Sequence, residues 1–338
     1  MKAAIYNPYL DTLGGGERYT LSFAKVLSDE GWDVDVEWKK PEIKKSLESR
    51  FGLDLSSINI VPDIKRGDGY DLCFWVSDGS IPMLRARKNV LHFQVPFHDV
   101  NGDSLLNKMK MIRINKIVCN SIFTKNFIDK EYGVKSIVVY PPVPTESIKP
   151  KRKENVILAV GRFSQLKQSK RQDILVEAFK KMFDDGLKNW KLIIAGGVEI
   201  GIGEFLYNLE KSVKGYPIEI IKSPDFKTLK DLYGKAKIFW SASGFGEDEI
   251  KNPEKMEHFG MSVVEAMAAG AIPVIYNAGG HKEIIVNYEN GFLWSSVDDL
   301  IKQTHLAIEK RNDLAKHIVE SSEKYGYEKF RKAIIEIL

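Results

Sequence analysis

Two glutamates, Glu257 and Glu265, bracket the segment HFGMSVV, with Gly260 between them just ahead of an apolar run. A helix beginning near Ser262 leaves the N–H groups of Gly260, Met261 and Ser262 without intrahelical acceptors. The aligned peptide dipoles add partial positive charge there, so this terminus favours an anion such as a diphosphate. Gly260 lets such a group approach the backbone closely. A carboxylate is a poor phosphate ligand, so Glu257 and Glu265 are better suited to accept hydrogen bonds from hydroxyl groups beside it, one on a sugar and one on a ribose. A plainer reading also fits: Ser262 and Glu265 have capping-box spacing and Gly270 stands where a helix C′ glycine belongs, in which case Glu265 only closes its own helix.

The second chemical stretch is AVGRFSQLKQSKRQDILVEAFKKM, residues 159–182. A strand ending at Gly161 and a helix starting near Gln172 put Arg162 and one of Lys167, Lys170 or Arg171 at the carboxyl end of a strand, where ligands of open α/β sheets bind. A solvated basic loop is the ordinary alternative. Cations facing an anion-binding helix terminus would, however, neutralise the charge that grows on a departing diphosphate.

Three further stretches carry candidate residues. NPYLDTLGGGERYT places consecutive Gly14, Gly15 and Gly16 between a strand and a helix, but Tyr19 occupies the third-glycine position of the dinucleotide fingerprint, so the fingerprint fails. Such a loop still allows phosphate or sugar to approach its backbone. NVLHFQVPFHD carries His92 at a strand end and His98 beside Asp99, at spacings that match no helical zinc motif. Asp33 and Asp35 alternate with Val34 and Val36 at strand period, which marks a solvated strand face rather than a metal site. No metal is expected.

These residues need elements to hold them. KAAIYN, WDVDVEW, DLCFWV, NVLHFQ, KIVCNS and SIVVYPP read as strands, and GERYTLSFAKVLSDEG between the first two places Tyr19, Phe23, Val26 and Leu27 on one helical face. Prolines gather in YPPVPTESIKPKRKEN, residues 140–155, after which strand and helix alternation restarts from NVILAVGRF to AIPVIYN. The pattern predicts two tandem α/β domains, 1–148 and 149–324, with a C-terminal helix over 325–338 crossing back onto the first. SSEKYGYEKFRKAIIEIL reads as helical throughout.

Composition narrows the function classes. A formal net charge of +4 over 338 residues is too small a surplus to mark nucleic acid as the main ligand. Cys73 and Cys119 both sit in apolar runs, as free thiols do in a reducing compartment. The opening MKAAIYNPYL lacks a signal-peptide core, and no segment approaches the roughly 18 to 20 uninterrupted apolar residues of a membrane span, so a cytoplasmic protein is expected. SLLNKMKMIRINK, residues 104–116, mixes Leu105, Leu106, Met109 and Ile112 with Lys108, Lys110, Arg113 and Lys116. It reads either as a surface helix packed by its apolar side, the preferred reading, or as a peripheral contact at the inner membrane face.

With GGGER, His92, CNSIFTKNFIDKEYG, VVYPPV, VGRF, KRQDILVEAF, EHFGMSVVEAMAAGAIPVIYNAGGHKEII and NGFLW, the chain resembles glycosyltransferase family 4, most strongly from Val156 to Trp294. The resemblance implies an α/β GT-B fold, two Rossmann-like domains with parallel sheets facing across a cleft, and retaining, metal-independent hexose transfer without a cofactor. Within the family it points to mannosyltransferases of the lipid-linked oligosaccharide pathway, hence to GDP-mannose before UDP or ADP sugars and to a glycan or lipid-linked acceptor. By the same resemblance Arg162 and Lys170 bind the donor diphosphate, Lys170 standing nine residues before Phe179, with Lys167 as its rival. Glu257 contacts the donor sugar, the backbone of Phe259, Gly260 and Met261 lines sugar and phosphate, and Glu265 holds the ribose. Gly15 and Gly16 touch phosphate from the first domain, and His92 sits beside the transferred sugar. The segment SGFGEDEIKNPEK before Glu257 is unusually long for the family and is expected to order on ligand binding. The competing functions are a nucleotide-sugar epimerase or hydrolase of the same fold and an NAD-dependent oxidoreductase, the latter opposed by Tyr19. Neither acceptor, linkage nor oligomeric state is written in the sequence.

Overall fold

The computed structural model describes residues 1–164, 170–198 and 201–338, apart from the side chains of 311–313. The chain divides into two compact units, one of Met1–Pro142 with Tyr327–Leu338 and one of Val143–Gly326.

The first unit runs β1 (Lys2–Tyr6), α1 (Gly15–Asp29), β2 (Asp33–Glu37), α2 (Ile43–Phe51), β3 (Ile58–Val61), β4 (Leu72–Val76), β5 (Lys88–Phe93), α3 (Leu105–Met111), β6 (Lys116–Cys119), α4 (Ile122–Tyr132) and β7 (Ile137–Val138). Its strands pair in parallel in the order β3-β2-β1-β4-β5-β6-β7. A sheet covered on both faces needs apolar side chains on both, and Ala3, Ala4 and Ile5 of β1 are all fully buried. The strand β3 has no counterpart among the expected elements; it is four residues long and buries only Ile58 fully, so neither period nor length marks it.

The second unit runs β8 (Glu154–Val160), α5 (Gln172–Asp184), β9 (Lys191–Gly196), α6 (Gly203–Ser212), β10 (Ile218–Lys222), α7 (Phe226–Lys235), β11 (Ala236–Ser241), α8 (Met261–Ala268), β12 (Ile272–Tyr276), α9 (His281–Ile284), β13 (Phe292–Trp294), α10 (Val297–Glu309) and α11 (Arg311–Ser322), and α12 (Tyr327–Ile337) follows in the first unit. The second sheet is also parallel, in the order β10-β9-β8-β11-β12-β13. Strand order reverses beside β1 in one sheet and beside β8 in the other. At such a reversal the helices leave toward opposite faces, which opens a crevice at the carboxyl ends of the strands.

Two expectations need correction. The last segment is not one helix: a short 3-10 turn, Glu323–Tyr325, and an extended Gly326 separate α11 from α12. The backbone there bonds outside any helix, because the Tyr325 carbonyl accepts from the Val143 N–H at 2.9 Å. The aspartates of β2 also differ from each other. Asp33 is exposed, whereas Asp35 is buried and accepts from Asn59 at 3.0 Å, Tyr70 at 2.7 Å and Lys2 at 3.0 Å. Burial works against its charge, but those partners hold its pKa below the usual carboxylate value.

Helix α12 completes the core of the first unit. Phe330 and Ile334 lie in one buried cluster with Tyr19, Phe23, Val26 and Val34, and the Phe330 ring meets Tyr19 edge-on at 5.0 Å. Arg331 pairs with Glu30, and Lys88 donates to the Leu338 carbonyl, so the helix is fixed near its middle and just beyond its end. Phe330→Ala deletes a fully packed ring and is expected to destabilise the protein by about 3 to 5 kcal/mol, read as a lower urea midpoint; an unchanged midpoint would show that α12 is not part of this core.

Candidate functional site

β8 and β11 are the neighbours at which strand order reverses in the second unit, and the candidate residues meet at their carboxyl ends. Val160, Gly161, Lys170, Ser241, Glu257 and Ser262 line a small crevice there. The Lys170 ammonium lies 2.6 Å from Glu257 Oε2, and the Ser243 hydroxyl donates to the same oxygen at 3.2 Å. The two charged side chains retain only 18% and 15% of their exposure. Burial alone would raise the Glu257 pKa, but Lys170, with smaller help from His281 and His258, brings it down to about 2. The carboxylate is therefore ionised throughout the physiological range.

Glu257 is held by the turn that follows β12. Its carbonyl accepts the Gly280 N–H at 2.7 Å, and a Cβ on Gly280 would stand 2.5 Å from the His258 carbonyl oxygen, so only glycine lets the two segments touch. His281 is fully buried, with Nδ1 2.9 Å from the Tyr276 carbonyl and Nε2 3.4 Å from the Ser241 hydroxyl. A carbonyl can only accept, so the proton sits on Nδ1 and Nε2 accepts. Burial lowers its pKa despite the nearby Glu257.

Helix α8 starts at Met261 on an N-cap Gly260 with φ +113°, a conformation that favours glycine. Ser262 is thus the second helical residue and not the cap. The capping-box reading of Glu265 fails, and the Glu265 carboxylate instead accepts from the Tyr233 hydroxyl at 2.8 Å. Gly270 does end the helix in the left-handed region, at φ +69°. Phe259 is buried and packs edge-on against Tyr325.

The long segment before Glu257 is tied to the rest of the unit by several side-chain contacts. Arg171 donates to the Phe245 carbonyl at 2.7 Å, Glu249 takes Lys282 at 2.7 Å and the Gly279 N–H at 3.2 Å, and Lys255 pairs with Glu247 at 3.0 Å. Phe245 packs against Tyr276 and Trp294. Arg171 also pairs with Asp173 at 3.0 Å, so it serves this scaffold, and among the described candidates Lys170 is the one that reaches Glu257. Lys167 lies outside the described residues. Arg162 follows Gly161 at the end of β8 with an exposed side chain, its carbonyl accepting Gln172 Nε2 at 3.0 Å.

In the first unit, α1 opens at Gly15, and Gly16 lies against the end of the Gln94 side chain just after β5. Glu17 accepts from the Gly14 N–H at 2.6 Å and from Thr12 at 2.8 Å, closing the helix. His92, expected beside a sugar, is placed in the core: fully buried, stacked on Tyr19 at 4.1 Å, and bonded through Nδ1 to the Val118 carbonyl at 3.2 Å. Burial lowers its pKa to about 3. His98 pairs with Asp99 at 2.9 Å on an exposed loop. Sequence reasoning missed Ser243, Tyr233 and His281 as parts of the site. Only His281 left a signal, as the residue following the AGG turn.

Two doubly wound parallel α/β units in tandem, the second with its polar cluster at the reversal of strand order, define the GT-B class of fold. The chain belongs to the glycosyl transferases group 1 family, whose description matches residues 145–325. It is 29% identical over 248 residues to a GDP-Man:Man(3)GlcNAc(2)-PP-Dol alpha-1,2-mannosyltransferase of Dictyostelium discoideum, a match covering 66% of this chain and 46% of that one. The chain thus spans about half the length of that relative. An uncharacterized glycosyltransferase of Methanocaldococcus jannaschii is 28% identical over 356 residues, covering 96% of this chain and 93% of the relative. Among solved structures, Anabaena HepE in complex with UDP superimposes with a TM-score of 0.79 at 16% identity, over 99% of each chain.

The ion pair makes a pH-dependent contribution. The Glu257 pKa of about 2 lies below its ordinary 4.5, so the stabilisation is complete above 4.5 and is lost as pH falls toward 2. Lys170→Met leaves a nearly buried carboxylate unpaired, which costs on the order of 3 kcal/mol at neutral pH. In urea unfolding across a pH series, the gap between parent and variant should narrow below 4.5; a constant gap would mean that the pair is not coupled to protonation of Glu257.

Proposed function

We propose that the protein is a retaining glycosyltransferase that moves a hexose from a nucleoside diphosphate sugar to a glycan or lipid-linked hydroxyl, without a metal or other cofactor. The observation that carries this reading is the Lys170–Glu257 pair set beside the amino terminus of α8 at the carboxyl ends of β8 and β11. Lys170, Arg162 and the first amides of α8 take the diphosphate. Glu257 Oε2 is already engaged by Lys170 and Ser243, which leaves Oε1 to accept a sugar hydroxyl. Glu265, oriented by Tyr233, accepts from the ribose.

In the reaction the bond from the sugar anomeric carbon to the diphosphate oxygen breaks, and the electron pair leaves with the nucleoside diphosphate. The growing negative charge is met by cations and dipoles already in place. The acceptor oxygen bonds to the anomeric carbon from the same face, and its proton passes to the departing phosphate oxygen. No protein nucleophile is needed. No step is assigned to His92, whose ring is enclosed, and Gly15 and Gly16 are proposed only as phosphate neighbours of the first unit. The donor is proposed as GDP-mannose, on the name of the Dictyostelium relative.

Glu257→Ala and Lys170→Ala are expected to lower turnover by at least about a hundredfold, assayed where circular dichroism shows each variant folded; near-normal turnover in both would remove the mechanism. In a thermal-shift panel of GDP-, UDP- and ADP-sugars, GDP-mannose should raise the melting temperature most. Glu265→Ala should weaken that donor by about tenfold or more in KM, as loss of hydrogen bonds from a charged acceptor does. A larger shift with UDP sugars would reassign the base and leave the site intact.

A further inference from the structure

Helix α3 wears its apolar side outward. It buries no residue fully, and Leu105, Leu106, Met109 and Ile112 are 77%, 61%, 58% and 83% exposed. The helix is seated through its other side, where Met111 and the following Ile114 pack beneath it against a core that includes Leu91, Phe93 and Tyr132. An ordinary surface helix does the reverse and points its apolar stripe at the core, so the expected packing of this segment by its apolar side is not what the structure contains. Its ends are anchored: Asn107 donates to the Asn101 carbonyl at 3.1 Å, and Arg113 to the Leu84 carbonyl at 3.4 Å. Those two anchor points adjoin Val100 and Met83, which are themselves about 40% and 41% exposed. Four exposed apolar side chains within eight residues are a feature that soluble surfaces seldom leave uncovered.

Charge identifies what covers it. Residues 104–116 contain Lys108, Lys110, Arg113 and Lys116 and no acid, a local surplus as large as the +4 of the entire chain. The first two cations flank Met109 directly, and Arg113 and Lys116 stand one and four residues beyond Ile112. Lys108 has only a long contact to Asp103, 3.9 Å between two well-exposed groups. Long cationic side chains around a protruding apolar ridge suit an interface where hydrocarbon lies below and anionic headgroups lie level with the ammonium groups. A protein partner would have to desolvate those cations, whereas a lipid surface lets them reach the water layer. The geometry points to α3 as a docking ridge for an anionic lipid surface, with Leu105, Leu106, Met109 and Ile112 entering the headgroup boundary and the basic residues contacting lipid phosphates. Among the described residues no helix is long and apolar enough to cross a membrane, so this contact is a landing and not a span. The inference does not rest on the donor chemistry.

Flotation with vesicles tests it. The full chain should float with vesicles of equal parts phosphatidylcholine and phosphatidylglycerol at low salt, stay behind with phosphatidylcholine alone, and be released by high salt as screening shortens the reach of the charges. The variant L105Q/L106Q/M109Q/I112Q should lose flotation by more than about tenfold while its circular dichroism and melting temperature stay at parental values. The charge variant K108E/K110E/K116E, which alters only groups outside the core, should lose it too. Absence of flotation by the parent, equal flotation with neutral vesicles, or parental flotation by both variants would overturn the proposal. So would a dimer in light scattering that the glutamine variant dissolves without any vesicle binding, which would assign the ridge to a second copy of the chain.

Discussion

A single nearly dry ion pair, Lys170 with Glu257, organises the candidate site. Removing two charges from water costs several kcal/mol each, and their mutual attraction repays this only when geometry and further hydrogen bonds are good. Here the geometry is enforced from several directions. Ser243 supplies a second donor, the Gly280 N–H fixes the backbone of Glu257, and the neutral, doubly bonded ring of His281 supports the floor. The pair is therefore a preorganised element, with a cation held beside a helix terminus and a carboxylate held ionised.

The fold explains why these residues meet although they are 87 positions apart in sequence. A parallel sheet whose order reverses between β8 and β11 sends one following helix to each face and leaves the loops after both strands sharing a crevice. Lys170 arrives on the loop after β8 and Glu257 on the loop after β11. The segment between β11 and Glu257 adds weight to the scaffold, since Arg171, Glu249 and Phe245 bind it to the rest of the unit.

Much of this was legible in the sequence, and the losses have physical causes. Long, strongly periodic elements such as α1 and β8 announced themselves because both faces of a covered sheet and one face of its helix must be apolar. β3 did not, because a short edge strand with one fully buried residue leaves almost no pattern. Glu257 and Gly260 stood out because charge and glycine beside an apolar run are costly without a purpose, whereas Lys170 was set apart from Lys167 and Arg171 only by the family resemblance. Tyr233 and Ser243 did not, since a tyrosine on a helix and a serine after a strand look ordinary until the fold sets them against Glu265 and Glu257. The capping-box spacing of Ser262 and Glu265 misled by two residues, because the cap is Gly260, which has no side chain to bond. Asp35 misled in the other direction, a strand aspartate whose alternation suggested water but whose neighbours Lys2, Asn59 and Tyr70 enclose it.

The last helix has a bearing on biogenesis. Residues 327–338 belong to the first unit, yet the ribosome delivers them after the whole of the second. While residues 143–326 are being made, the nascent first unit stands with the α1 surface around Tyr19 lacking its cover from Phe330 and Ile334. The second unit can close as it emerges, but the first must wait for α12, so the order of completion runs opposite to the order of synthesis.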